Sequence, residues 1–341
     1  LAQYMASWQE KGMDWGGWHV VLEQAKAEFA RLIGADAGDI AVMSCVSDLA
    51  SSFGNCLQFA PGKDGIVLGE IDFPSLGHVW LAQQQRGARV SFACAENAQD
   101  IELADYEKLI DASTRLVSVS HVSYSNGYRQ DLAGIARLAH AHGALVFVDA
   151  YQSVGAMGVD VVRDDIDVLV CGAQKFLLGC PGIAFMYVRR ALAQTLEPAN
   201  TGWFGRVNPF AFDIRTLDYA DGARRFDTGT APYICAAAAR AGMALLNGLD
   251  MVQVEAYLEH LSATAIEAAQ THGLTLASPL DPKRKGPNTA IVVPDAGAVE
   301  QKMAAAGFIV SARGPVLRIA PHFYNTAEEV VAAVAALAKL R

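Results

Sequence analysis

Short apolar runs alternate with amphipathic, helix-like stretches through the first two thirds of the chain. Leu22, Lys26, Phe29, Leu32 and Ile33 recur at helical spacing, and the stretch stops at Gly34. Residues 40–43 then read as a short buried strand, followed by a helix opened by Ser47-Asp48. Strand-like runs return at 65–68, 88–92, 116–120, 144–148, 167–170 and 183–188, with helical segments between several of them. Runs this uniformly apolar suit a mainly parallel sheet covered by helices on both faces, an α/β architecture. One strand-and-helix unit is explicit: Asp131 caps a helix over 132–142, Gly143 ends it, and the next apolar run reaches Asp149. Beyond residue 248 the pattern shifts to long Ala-rich helices with few strands. The expected organisation is therefore a large unit over 1–248, whose first 20 residues are expected against a smaller α+β unit over 249–341. The last helix opens on a capping box, Thr326 with Glu329.

Composition narrows the function. A chain of 341 residues exceeds what one core usually serves, and 52% hydrophobic against 18% charged residues predicts an ordered, globular protein. A formal net charge of -9, with no cluster of Lys and Arg among aromatics, disfavours nucleic acid as a partner. No apolar run reaches the roughly 18 residues of a membrane span. Six dispersed cysteines without a C-x-x-C pair read as free thiols, so the expected location is the cytoplasm. His140 and His142 stand at a spacing that points them apart, so no metal site is expected. The sequence opens on Leu1 rather than Met, within a helix-like stretch, and residues upstream of this numbering are expected.

Three positions carry candidate chemistry. Lys175 follows an apolar strand and precedes Gly179-Cys180-Pro181-Gly182, surroundings that discourage a charged ammonium. Asp149 ends a strand, and in open α/β sheets the C-terminal strand ends form the ligand crevice. Ser47 and Asp48 begin a helix whose free N–H groups suit a phosphate. Singly, these are a solvated lysine, a turn residue and an ordinary helix cap. Together they supply the imine lysine, the acid for the pyridine nitrogen and the phosphate donors that pyridoxal 5'-phosphate requires. A nicotinamide dehydrogenase would also have alternating strands and helices, but no G-x-G-x-x-G follows the first strand.

The most specific stretches are Ser120-His121-Val122-Ser123-Tyr124-Ser125-Asn126-Gly127, then Val148-Asp149-Ala150-Tyr151-Gln152-Ser153-Val154-Gly155, then Gln174-Lys175 and Pro181-Gly182. In these the chain resembles the class V aminotransferase group of fold type I pyridoxal phosphate enzymes, which includes kynureninases, cysteine desulfurases and isopenicillin N epimerase-like proteins. The resemblance implies that Lys175 holds the cofactor as a Schiff base, Asp149 meets the pyridine nitrogen, and Gln152 hydrogen-bonds near the ring hydroxyl. It places Phe73 over the ring and Arg318 on the substrate carboxylate. Val46, Ser47, Tyr124 and Gln174 complete the implied cofactor shell. It also implies a homodimer in which Thr230, within Gly229-Thr230, reaches the partner's cofactor phosphate.

The departures from pattern bear on the reaction. Cysteine desulfurases carry a nucleophilic Cys shortly before the C-terminal arginine, whereas Ser311-Ala312-Arg313-Gly314-Pro315 has none. Gly202-Trp203-Phe204-Gly205, Arg225-Phe226 and Phe73 are similar to kynureninase, yet Gln174 and Arg206 stand where that enzyme has Tyr and His. Arg206 has two readings, a contact to a second acidic group of the substrate or a pair with an acid of the neighbouring subunit. The expected activity is transamination of an amino acid or amine, with a kynureninase-like hydrolase, another Cβ lyase or an epimerase as the alternative. A homologue retained only for binding is a weaker one.

Overall fold

The structure is a computed structural model that describes residues 1–94 and 100–341. The large sheet is built from β1 (Ile40–Met43), β2 (Gly65–Gly69), β3 (Arg89–Ala93), β4 (Thr114–Ser120), β5 (Leu145–Asp149), β6 (Val168–Gly172) and β7 (Ala184–Val188). Their spatial order is β1-β7-β6-β5-β4-β2-β3. β2, β3, β4, β5 and β6 pair in parallel, while β7 runs antiparallel to both β6 and β1.

The helices of this part are α1 (Ala2–Lys11), α2 (Trp15–Leu32), α3 (Val46–Cys56), α4 (Pro74–Ala82), α5 (Leu103–Glu107), α6 (Leu132–Ala141), α7 (Arg190–Ala193) and α8 (Tyr233–Asn247). Side-chain alternation divides them between two layers. Val146, Val148, Leu169 and Cys171 point into one cluster with Phe29 of α2, Ile135 of α6 and Met243 of α8. Phe147, Val168 and Val170 point the other way, to Leu49 and Phe53 of α3 and Trp80 of α4. Burial on both faces explains why these strands lack polar alternation.

The remainder comprises α9 (Met251–Thr271), β8 (Thr289–Val292), α10 (Ala296–Ala305), β9 (Ser311–Arg313), β10 (Val316–Ile319) and α11 (Ala327–Leu340). Its antiparallel sheet has the order β8-β10-β9 and a core of its own around Ile291, Met303, Leu317 and Val334. The two parts meet along a seam where Ala156 and Phe176 pack with Leu258 and Leu261 of α9 and Val330 of α11.

Two boundaries move from their expected places. α2 starts at Trp15 because the Asp14 side chain accepts the Gly17 N–H and caps it. α3 starts at Val46 with Cys45 at its N-cap, which puts Ser47 and Asp48 inside the first turn. The N-terminal residues direct their aromatic rings to the large unit: Tyr4 stacks on Trp18 at 5.1 Å, and Trp18 lies 6.0 Å from Tyr233 of α8. Trp15 and Trp18 form an aromatic cluster there, offering apolar area that α8 covers.

Lys26 occupies a helix face that otherwise reads as apolar and is 1% exposed. Its Nζ lies 2.5 Å from Asp227 Oδ2, and Asp227 Oδ1 accepts the Val42 N–H of β1 at 2.9 Å. This buried pair ties α2 to β1 and to the segment leading to Thr230. Lys26→Met is expected to leave Asp227 as an uncompensated buried charge and to destabilise the chain by about 3–5 kcal/mol, measured by denaturant unfolding. A loss below about 1 kcal/mol would mean the pair is not what joins these elements.

Candidate active site

The C-terminal ends of β4, β5 and β6 open onto one cavity of about 240 Å³. Six expected residues border it with Lys175: Val46, Ser47, Phe73, Tyr124, Asp149 and Gln152; Gln174 joins them beside the lysine. The order of the strands explains the convergence. β5 lies between β4 and β6, so Asp149 sits level with Ser120 on one side and Val170 on the other, and the turn carrying Lys175 leaves β6 next door.

Lys175 sits in a tight turn that the surroundings hold closed. Leu178 N–H bonds the Lys175 carbonyl at 3.1 Å and Gly179 N–H bonds the Ala173 carbonyl at 2.8 Å. Leu178 adopts φ 58, a left-handed conformation costly for a branched side chain, of the kind that persists where neighbours over-determine it. Gly242 of α8 and Gly155 permit the close approach. A Cβ at Gly242 would stand 2.4 Å from the Leu177 carbonyl oxygen, and one at Gly155 would stand 2.4 Å from that of Phe176.

The Lys175 side chain opens into the cleft, with Nζ 4.4 Å from the Tyr151 ring centroid and 5.9 Å from that of Phe73. Loss of water around it lowers its amine, Arg318 and Arg313 lower it further, and Asp149 acts in the opposite direction. Asp149 is buried, accepts the Tyr151 N–H at 2.9 Å, and is pushed up to about 6 by desolvation, against the pull of that hydrogen bond and of Lys175. Gln174 hydrogen-bonds the Tyr151 hydroxyl. Phe73, 40% exposed, meets Tyr124 edge-on at 5.1 Å and leaves one face toward the cavity side holding Lys175.

At the far side stands the first turn of α3. The N–H groups of Val46, Ser47 and Asp48 have no partner within the helix, and Ser47 adds a hydroxyl. The residues present thus fit pyridoxal phosphate: an amine of lowered basicity, a buried carboxylate with one hydrogen bond, and a helix N-terminus border the same cavity. Ser120, buried beside Asp72, also borders it, as do Cys45 and Tyr151. The signal for Ser120 was its position, opposite Asp149 at the end of the neighbouring strand.

A second, outer hollow of about 490 Å³ shares Lys175, Gln152 and Gln174 with the first and brings in Arg318 from β10. Arg318 donates to the Tyr124 carbonyl and to Ser311 Oγ, while its Nε is buried without a partner. Burial and the neighbouring Arg313 push its guanidinium down to about 10. Two expected site residues lie elsewhere. Arg206 faces a different concavity, where Nε bonds Asp218 at 2.8 Å and Nη1 bonds the Asp213 carbonyl at 2.7 Å. Within its own chain the guanidinium is thus paired with Asp218 and the Asp213 carbonyl. Thr230 is exposed on a third concavity, beside Thr228, Gly229 and Arg224.

The profile of the class-V aminotransferase family matches residues 16–332. The chain belongs to the class-V aminotransferase family. It is 37% identical to an uncharacterized aminotransferase, YcbU, of Bacillus subtilis strain 168, over 97% of this chain and 86% of the relative. It is 28% identical to a kynureninase of Pseudomonas fluorescens, over 95% of this chain and 80% of that one. The solved structure of C-DES with glycine covalently linked to its PLP cofactor superposes with a TM-score of 0.90 at 18% identity, covering 99% of this chain and 91% of that one, which shows the shared fold. The fold is that of fold type I pyridoxal phosphate enzymes, and the class-V aminotransferase family uses pyridoxal phosphate as its cofactor.

The raised Asp149 carboxyl generates a stability prediction. Its ionised form is disfavoured in the folded, ligand-free chain: the penalty is absent below the ordinary value of 3.8, grows as pH rises, and is complete above about 6. Asp149→Asn, which can still accept the Tyr151 N–H, is expected to stabilise the ligand-free protein by up to about 3 kcal/mol above pH 7 and by nothing near pH 4. Unfolding curves at the two pH values check this; an equal effect at both would count against it.

Proposed function

We propose that this enzyme transaminates an amino acid, with pyridoxal phosphate held on Lys175. The observation that carries the reading is the shared border of the two hollows, which places Lys175 between Asp149 on the inside and Arg318 on the outside. When bound, the cofactor supplies an electron sink for the pair released as a Cα bond of the substrate breaks. Asp149 is the residue that would face the ring nitrogen and hold a proton there. Gln152 hydrogen-bonds beside the ring hydroxyl and Phe73 covers a ring face. Val46 and Ser47 at the start of α3 hold the phosphate, with Tyr124 and Gln174 bounding the slot.

Arg318 takes the substrate carboxylate with its planar fork, which fixes the Cα within reach of Lys175. Lys175, once its amine is free, takes the proton from Cα through Nζ, a role favoured by its lowered basicity. The enzyme works as a homodimer in which Thr230 reaches the partner's phosphate, consistent with its exposed place away from its own cavity. No helix among the described residues is long and apolar enough to cross a membrane, and the free cysteines suit a cytoplasmic enzyme. The kynureninase relative supports a second reading, hydrolytic cleavage at the Cβ–Cγ bond of a kynurenine-like substrate.

Borohydride treatment of the protein with pyridoxal phosphate is expected to fix the cofactor on the peptide containing Lys175, and Lys175→Ala is expected to lose this label. A chain that stays colourless and unlabelled sinks the reading. Amino acids offered singly should give keto acid together with the amine form of the cofactor; anthranilate released from kynurenine would instead select the second reading. Arg318→Leu is expected to raise KM for the amino acid by about tenfold or more while borohydride labelling at Lys175 persists, since it removes charge-assisted hydrogen bonds to the carboxylate.

A further inference from the structure

The loop between β10 and α11 places a buried imidazole against the main chain next to Lys175. His322 is 4% exposed, and its ring sits 5.4 Å from Phe176, 4.8 Å from Phe323 and 5.2 Å from Tyr324, centroid to centroid. The Phe323 N–H donates to Nδ1 at 2.8 Å, so Nδ1 carries no proton and the proton resides on Nε2. Nε2 lies 3.0 Å from the Phe176 carbonyl oxygen, to which that N–H donates. The loop is fastened on its other side as well: the His322 N–H bonds Asn325 Oδ1 at 2.9 Å, and the Tyr257 hydroxyl bonds the Asn325 carbonyl at 2.8 Å.

We propose that His322 is a positioning residue: as a neutral imidazole in a single tautomer it latches the segment carrying Arg318 onto the peptide that follows Lys175. The proposal rests on the assignment of Lys175 and Arg318 made above. The Phe176 carbonyl also lies close against Gly155. Arg318 lies on β10, four residues upstream of His322, so this hydrogen bond acts together with Arg318's own bond to the Tyr124 carbonyl in setting how far the guanidinium stands from the lysine. Two arms of the site that belong to separate hydrophobic cores are registered at this point.

The latch is sensitive to acid. A second ring proton would turn Nδ1 into a donor facing the Phe323 N–H, and two donors at that separation repel. Burial already holds His322 below its ordinary value. Around it, the Arg318 guanidinium and the Lys175 nitrogen lie across the outer hollow and Tyr324 is stacked on the ring. From α9, Tyr257 bonds Asn325, and from α11, Glu329 bonds Asn325 and Thr326, so both are turned away from the imidazole. The latch is thus complete above the usual histidine range and is lost as pH falls through the lowered value.

Hydrogen exchange of the cofactor-loaded protein tests this. His322→Phe keeps a ring but drops both bonds, and amides of 173–179 and 320–325 are expected to exchange about tenfold faster while β4 and β5 stay protected. KM for the amino acid should rise more than kcat falls, with borohydride labelling of Lys175 intact. In the wild type the same two segments should open as pH falls below the usual histidine value of about 6.5, after correction for intrinsic exchange. His322→Gln, which offers one donor and one acceptor and does not titrate, should restore KM and abolish that opening. Segments that do not open with acid in the wild type, or that open equally in His322→Gln, overturn the proposal, as does wild-type exchange in a folded His322→Phe. Loss of Lys175 labelling in the wild type would instead overturn the cofactor assignment.

Discussion

The turn that leaves β6 is the constraint on which the rest of the site depends. It must carry a lysine out of a sheet buried on both faces and stop it within reach of Asp149. It does so by placing Leu178 in a conformation that a free peptide would avoid. Two main-chain hydrogen bonds close the turn, and the rest of what holds it is external. That remainder comes from contacts made elsewhere: α8 pressing Gly242 against the carbonyls of 177 and 178, Gly155 lying beneath the carbonyl of 176, and Phe176 buried between the two parts of the chain. Packing of the whole molecule is in this sense converted into the orientation of one amine.

The same geometry explains why the site is divided into an inner and an outer compartment. The inner one is made by strand ends and a helix N-terminus, groups fixed by backbone hydrogen bonding and therefore stiff. The outer one depends on side chains from β10 and its following loop, which belong to a different core. On the proposed reading, cofactor contacts would fall on the stiff side and substrate contacts on the side that can adjust. This partition suits a family in which one cofactor serves several reactions, since the substrate side can change without disturbing the ring.

Much of this was legible in the sequence because it is local. The apolar runs at β4, β5 and β6, the cap at Asp131 and the box at Thr326 are read from a few consecutive residues, and Asp149 and Lys175 follow from their places at strand ends. What could not be read depends on distant partners. A strand buried on both faces looks the same in either direction, so the antiparallel run of β7 left no mark. Lys26 read as a helix-face residue because its partner lies 201 positions away. The pairing of Arg206 with Asp218 was equally hidden, because the two come together only when their loop folds back. His322 carried no signal at all, since its partner across the seam is a main-chain carbonyl.

The buried carboxyl of Asp149 has a consequence for the life of the protein before it ever meets substrate. A chain released without its cofactor carries an acid that its own interior disfavours, and on the proposed reading the ring nitrogen would relieve it. Ligand binding then adds to the folding equilibrium by mass action as well as enabling chemistry. In a cell where the cofactor runs short, the surplus of empty chains would be the less durable population and the first to be cleared by proteases. The amount of enzyme would thereby follow the supply of the molecule it needs, without any regulator beyond one acid in a dry place.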